Sequence, residues 1–218
     1  MKKMKEITQN FMNDFFARHP DLLPLQTEIL LACDIVKTAF QNGNKLLLCG
    51  NGGSCADCDH IAGEFLKGFL LKRPVNAELK NKMAEKYGEM GAEIAGKLQQ
   101  GLPTISLVTH SAAISAFEND VDPDFIYAQQ VLAYGKPGDV LIGISTSGGA
   151  KNVAAAVMTA NSLGLHTIGL TGKDGGKLAQ YAELSLIMPQ SETYRIQEDH
   201  LAIYHLLCAV VEYEIFEA

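Results

Sequence analysis

His60 and Glu64 stand four residues apart in a stretch, Ala56 to Leu71, that reads as helix, so imidazole and carboxylate share one face. At that spacing the pair can hold a zinc ion together, or simply make a surface His–Glu contact. A second set lies near the C-terminus. Arg195-Ile-Gln-Glu-Asp-His200 and Tyr204-His205 fall on one long, otherwise apolar helix expected from about Gln197 to Phe216. Gln197 and His205 are eight positions apart, about 12 Å of rise and about 80° of rotation on a regular helix. One straight helix would hold a single ion between them only with difficulty. Either the helix begins after Gln197, or the two ligands come from different chains of an oligomer. A solvated face accounts for His200, whose three-residue spacing from Gln197 keeps it as a reserve ligand.

Two loops carry a different chemistry. Gly50-Asn-Gly-Gly-Ser54 sits between a strand and a helix, where backbone amides can line an oxyanion or phosphate near the positive end of a helix dipole. Any α/β protein also needs glycines in such turns. Ser145-Thr-Ser-Gly-Gly149 offers three consecutive hydroxyls with no adjacent lysine, although a Ser/Thr-rich turn can equally bond its own backbone. Neither loop ends in the Gly-Lys-Ser/Thr of a P-loop. The hydroxyls suit a monophosphate, such as that of a sugar phosphate, better than a triphosphate. Cys55-Ala-Asp-Cys58 has CxxC spacing, with Cys49 and His60 nearby. A structural zinc site would want a second such pair, so these read as packing thiols on a helix facing a sheet.

Short apolar runs at 45–50, 104–109, 139–145, 167–171 and 184–188 are bounded by Gly or Pro and read as five buried strands. Helical patterns lie between them, at 56–71, 111–117, 125–134 and 153–163, and strand alternating with helix argues for a parallel sheet covered on both faces. Sites in such sheets lie beyond the carboxyl ends of the strands, so the loops at 50–54, 109–111 and 145–149 should converge on one crevice. Two helices precede the first strand within residues 1–43, separated at Pro20. From Asn76 to Gln100, Leu79, Met83, Tyr87, Met90, Ile94 and Leu98 step by three or four, which predicts an amphipathic helix or helical hairpin weakened by Gly88, Gly91 and Gly96. It packs on its own domain or a neighbouring subunit, or forms a mobile lid. The whole chain, 1–218, reads as one domain.

Composition narrows the function. Of 218 residues 47% are hydrophobic and 20% charged, enough to bury one sizeable core. A net charge of -7 without any block of like charge argues against nucleic acid as a partner. No signal-peptide pattern opens the chain and no run of eighteen apolar residues exists, so a cytoplasmic protein that does not enter a membrane is expected. Five cysteines without a secretion signal read as reduced thiols.

With these residues in place the chain resembles the sugar isomerase (SIS) domain family, and within it the phosphoheptose isomerases. The matching segments are Cys-Gly-Asn-Gly-Gly-Ser at 49–54, Asp57, His60 to Glu64, Glu-Asn-Asp at 118–120, the run from Gly135 to Gly148, Leu-Thr-Gly-Lys-Asp-Gly-Gly-Lys-Leu at 170–178, and Arg-Ile-Gln-Glu at 195–198 with His205. They span nearly the whole chain except 76–100. The resemblance implies a three-layer α/β sandwich with a five-stranded parallel sheet of flavodoxin-like SIS fold, preceded by N-terminal helices. It implies conversion of sedoheptulose 7-phosphate to D-glycero-D-manno-heptose 7-phosphate, the first step toward the heptose of bacterial surface glycans such as lipopolysaccharide. Zinc would be held by His60, Glu64, Gln197 and His205. Substrate contacts map to Asn51, Gly52, Gly53, Ser54, Glu64, Asn119, Asp120, Ser145, Thr146, Ser147 and Gln197, and the acid–base pair to Glu64 and His205. An enediol route needs one group to move a proton between C1 and C2 and another to serve the oxygens, with a metal to polarise the carbonyl. The family assembles as homotetramers with sites at subunit contacts.

Three features depart from the family pattern. Ala150 replaces a further phosphate-binding Ser, Gly68 stands where many members carry Arg, with Lys67 beside it able to supply the charge, and 76–100 is an insertion. Together they admit an isomerase of another phosphosugar. A non-catalytic SIS protein that binds or senses a phosphosugar is the remaining alternative, and the joint presence of His60, Glu64, Gln197 and His205 speaks against it.

Overall fold

Five strands form the centre of the computed structural model, which describes residues 4–217. They are β1 Leu46–Gly50, β2 Thr104–Ser106, β3 Val140–Ser145, β4 His166–Gly172 and β5 Leu184–Met188, all parallel, in the order β2-β1-β3-β4-β5. That is the flavodoxin-like order expected. Residues 1–3 and 218, included in the single-domain expectation, lie outside the described residues.

Successive side chains of a strand point to opposite faces, and the apolar runs use both. Leu46 and Leu48 of β1 pack with Val140, Ile142 and Ile144 of β3 against α1 Glu6–Arg18, α2 Gln26–Gln41, α3 Gly53–Leu66 and α9 Thr193–Phe216. Leu47, Cys49 and Leu141 pack on the other face against α6 Ile126–Tyr134, α7 Lys151–Ser162 and the short α8 Gly176–Tyr181, with α5 Ser111–Asp120 at the margin. Three layers result. Pro20 opens a 3-10 turn, Pro20–Leu25, between the first two helices, as expected from its missing N–H. Cys49 and Cys58 are fully buried and no cysteine among the described residues is bonded, which fits packing thiols.

Several boundaries move for identifiable reasons. The helix expected over 56–71 starts earlier and stops at Leu66, because the carboxylate of Glu212 takes the N–H groups of Phe69, Leu70 and Leu71 at 2.7–3.0 Å and leaves none for a continued helix. β2 ends at Ser106, where Thr109 turns back to the Ser106 carbonyl. The last helix begins at Thr193, before Gln197. α8, six residues long, is too short to show a period in sequence.

The segment 76–100 holds the helix α4 Ala77–Lys97, capped by Asn76 through its side chain to the N–H of Leu79 at 2.8 Å and broken at Gly88, whose φ is 59°. The break makes it a hairpin. Its apolar stripe is not buried by its own domain: Leu79, Tyr87, Met90, Ile94 and Leu98 are exposed, and of the helix only Gly91 and Ala95 are buried. An antiparallel bridge between Pro74 and Gln99 closes its base. No helix among the described residues is long and apolar enough to cross a membrane.

Candidate functional site

The strand order reverses between β1 and β3, and a crevice opens there beyond their carboxyl ends, as parallel sheets dictate. A cavity of about 320 Å³ is lined by Asn51, Gly53 and Ser54 after β1, by Ser145, Thr146 and Ser147 after β3, and by Gln197 and Thr193 of α9. The first turns of α3 and α7 both lie beside it, so two helix N-termini face the same space. Ala150, at the N-cap of α7, lines the cavity too and contributes no hydroxyl. Gly53 leaves room for Gln197: a Cβ there would displace the side-chain amide of Gln197 from its present place. Asn51 is fixed by Asn152 at 2.8 Å and by the hydroxyl of Tyr127 at 3.2 Å, neither of which carries a signal in the sequence. Ser147 also accepts the N–H of Gly149 at 3.2 Å, so the loop bonds its own backbone while presenting its hydroxyls.

A second cluster lies farther along α3 and α9. His60 Nε2 is 3.4 Å from Glu64 Oε1 and 3.4 Å from His205 Nε2. Donor atoms around a tetrahedral ion at 2.0–2.1 Å stand about 3.3–3.4 Å from one another, so these contacts have the spacing of ligands to a shared metal. Both contacts run through His60, and among the described residues no group of three or more His, Cys, Asp and Glu side chains is placed to hold a metal ion as it stands. Burial, then the neighbouring His60, pushes the His205 pKa down, partly offset by Glu64, which leaves the imidazole neutral and able to ligate. His60 Nδ1 lies 2.9 Å from the Tyr204 hydroxyl, which donates to Asp57 at 3.3 Å.

The turn after α3 braces this cluster. Arg73 and Glu212, both fully buried, are ion-paired at 2.6 Å. Arg73 also donates to the carbonyls of Phe65 and Glu64 at 2.9 and 3.2 Å, and Phe69 of the same turn stacks on the His205 ring at 5.6 Å. None of Arg73, Glu212 and Phe69 was visible as a site residue, because their partners are distant in sequence. Lys67, next to Gly68, reaches Glu64 at 3.2 Å. Gly68 itself has a backbone reason: a Cβ would overlap the Leu71 carbonyl and stand 2.8 Å from Gln99 Oε1, which accepts the Gly68 N–H at 2.6 Å.

Not every expected residue joins. Because α9 is continuous from Thr193, the alternative of a helix starting after Gln197 fails. Gln197 sits against Gly53, seven positions before His60 on α3 and so about 10 Å from it along that helix. Within one chain it belongs to the hydroxyl-lined cavity. His200 is fully buried, and its Nε2 is engaged by the Thr171 carbonyl at 3.2 Å, so it faces neither solvent nor the cluster and is no reserve ligand. Asn119 and Asp120 lie exposed at the end of α5, bonded to each other at 2.8 Å and absent from the cavity lining. The loop 109–111 likewise stays outside that lining, its His110 pairing with Tyr134 at 3.1 Å.

Comparison with known proteins agrees with this architecture. The SIS domain family matches residues 24–93 and 83–172, the two segments meeting inside α4. The chain is 40% identical over 183 residues to the phosphoheptose isomerase of Clostridium acetobutylicum, covering 84% of this chain and 80% of the relative. It is 36% identical over 216 residues to that of Aneurinibacillus thermoaerophilus, covering 94% and 96%. Among solved structures, the phosphoheptose isomerase of Neisseria gonorrhoeae superposes with a TM-score of 0.72 at 32% identity, covering 94% of this chain and 96% of that one. Similarity of this extent in sequence and in fold places the chain in the SIS-domain family, among the phosphoheptose isomerases, which are aldose–ketose isomerases of sugar phosphates.

Proposed function

We propose that this chain interconverts sedoheptulose 7-phosphate and D-glycero-D-manno-heptose 7-phosphate, with zinc held by His60, Glu64 and His205. The observation that carries the reading is the division of α3 and α9 into two levels. Gln197 stands with the hydroxyl-lined cavity at one level, and His205 with His60 and Glu64 at the next. A separation of about 12 Å along α9 asks for an elongated substrate whose phosphate and reacting carbons lie far apart.

The phosphate is received by Ser145, Thr146 and Ser147 and by the amides of Gly52 and Gly53, with Ser54 lining the same cavity, where two helix N-termini favour negative charge. Asn51 and Gln197 orient the sugar hydroxyls. Glu64, half-buried, moves the proton between C1 and C2, and His205 exchanges protons with the oxygens, its neutral form favoured by burial. Zinc, when bound, would polarise the substrate carbonyl. His60, Glu64 and His205 would hold the ion with one protein ligand fewer than a closed structural site uses. Gln197 as a fourth ligand would have to come from another copy of the chain, in a homotetramer whose sites lie at subunit contacts.

The test is turnover of sedoheptulose 7-phosphate by metal-free protein, with and without added zinc, coupled to detection of the aldoheptose phosphate. Zinc-dependent turnover is expected. Zinc binding without turnover would overturn the choice of substrate in favour of another phosphosugar; turnover indifferent to zinc would overturn the metal.

A further inference from the structure

Asp57 and His60 are three positions apart on α3 and share a face, and Tyr204, from α9, inserts its hydroxyl between them. The Tyr204 oxygen is 3.3 Å from Asp57 Oδ1 and 2.9 Å from His60 Nδ1. Tyr204 is otherwise a core residue, 3% exposed, packed among the apolar side chains of α9 and the sheet. A purely structural tyrosine at this place would need one partner for its hydroxyl, and it has two. The second oxygen of Asp57, Oδ2, is buried with no partner, so the carboxylate has given up water to face this hydroxyl.

With Tyr204 as the donor to Asp57, the chain of bonds has one direction. A carboxylate only accepts, so the single proton of Tyr204 goes to Asp57. The tyrosine oxygen is then left as an acceptor, and the only donor His60 can offer it is Nδ1–H. A neutral imidazole carries one proton, so Nε2 keeps its lone pair, and Nε2 is the atom that lies 3.4 Å from both Glu64 and His205.

We propose that Asp57 and Tyr204 form a positioning relay that holds the His60 proton on Nδ1 and turns the Nε2 lone pair toward Glu64 and His205. This rests on the reading of His60 as a zinc ligand. Neither residue touches substrate; both act through His60, as outer partners of a metal-binding histidine do. The two levels of control are separate. Tyr204 sets which nitrogen is free, and Asp57 sets which way the Tyr204 hydroxyl points.

Two measurements test it. In the metal-free chain, nitrogen-15 shifts of the His60 ring, assigned by comparison with His60→Gln, should show the Nδ1–H tautomer at a pH where the ring is neutral. An Nε2–H tautomer overturns the relay without reference to zinc or to any variant's folding. In the second, zinc affinity is measured by competition with a chromogenic chelator for the unaltered chain, Tyr204→Phe, Asp57→Asn and the double variant. Tyr204→Phe should weaken zinc about 10- to 100-fold, the range typical of outer partners. Asp57→Asn should weaken it as well, yet add nothing further in the Tyr204→Phe background, because its effect passes through that hydroxyl. Unchanged affinity in Tyr204→Phe, or two effects that multiply independently, overturns the relay while leaving the metal site standing. An unaltered chain that binds no zinc overturns the metal reading, and with it the relay's purpose.

Discussion

Replacing His200 by Leu should remove an acid-induced loss of stability that the unaltered protein carries. The imidazole is fully buried, its Nδ1 has no partner, and its one bond is from Nε2 to the Thr171 carbonyl. Burial drives its pKa from 6.5 down to about 4, against a smaller upward pull from that carbonyl. The folded state therefore resists protonation that the unfolded chain accepts. Stability from this group is complete above pH 6.5, falls as the pH drops from 6.5 toward 4, and levels off below. The depression to about 4 corresponds to about 3 kcal/mol in full, of which about 2 kcal/mol is lost between pH 7 and pH 4.5. The assay is urea unfolding of both proteins at those two pH values, with the slope of each transition monitored to confirm that the same surface is exposed. Carboxylates that titrate over the same range remain in both proteins and cancel in the difference. His200→Leu should lose about 2 kcal/mol less than the unaltered protein over that interval. An equal loss in both would refute the reasoning, since it would mean that His200 is charged or hydrated in the folded state. Zinc stoichiometry should be the same in both.

Other expectations follow from the same geometry. Glu64→Gln should cut kcat by at least about 100-fold with the fold intact by circular dichroism, because it removes a proton carrier and a ligand but no core volume; an active variant would sink the mechanism. Glu212→Gln leaves Arg73 unpaired in a dry interior and places an NH2 where backbone N–H groups now donate. It should cost about 3–5 kcal/mol in chemical denaturation, and a loss below about 1 kcal/mol would show that the pair is not holding the turn. A short Gly/Ser turn in place of residues 77–97, joining Asn76 to Leu98, should leave the melting temperature within a few degrees of the unaltered value, since the removed helix buries only Gly91 and Ala95. Aggregation of that variant would show the helix to be part of the core.

How far the sequence carries can be seen residue by residue. The two loops were legible because each joins the carboxyl end of a strand to a helix, the place where parallel sheets bind ligands, and the strand order then brings both to one crevice. His60 and Glu64 were legible as a pair because helical spacing alone puts them on one face. His200 was not, since the same period that places it on α9 cannot say whether that side of the helix meets water or the sheet. The exposed stripe of α4 shows the converse: periodicity marks an apolar face without telling what covers it.

By itself the sequence determined the fold class, the five strands, the two loops and the candidate ligands, because these depend on patterns that are local along the chain. Only the tertiary structure decided that Gln197 belongs with the hydroxyls and His205 with His60, that Arg73 and Glu212 brace the turn beside them, and that Tyr204 stands between Asp57 and His60. Each of those contacts joins α9 to residues about fifty or more positions away, where the packing of separate elements, and not spacing along one of them, sets the distance.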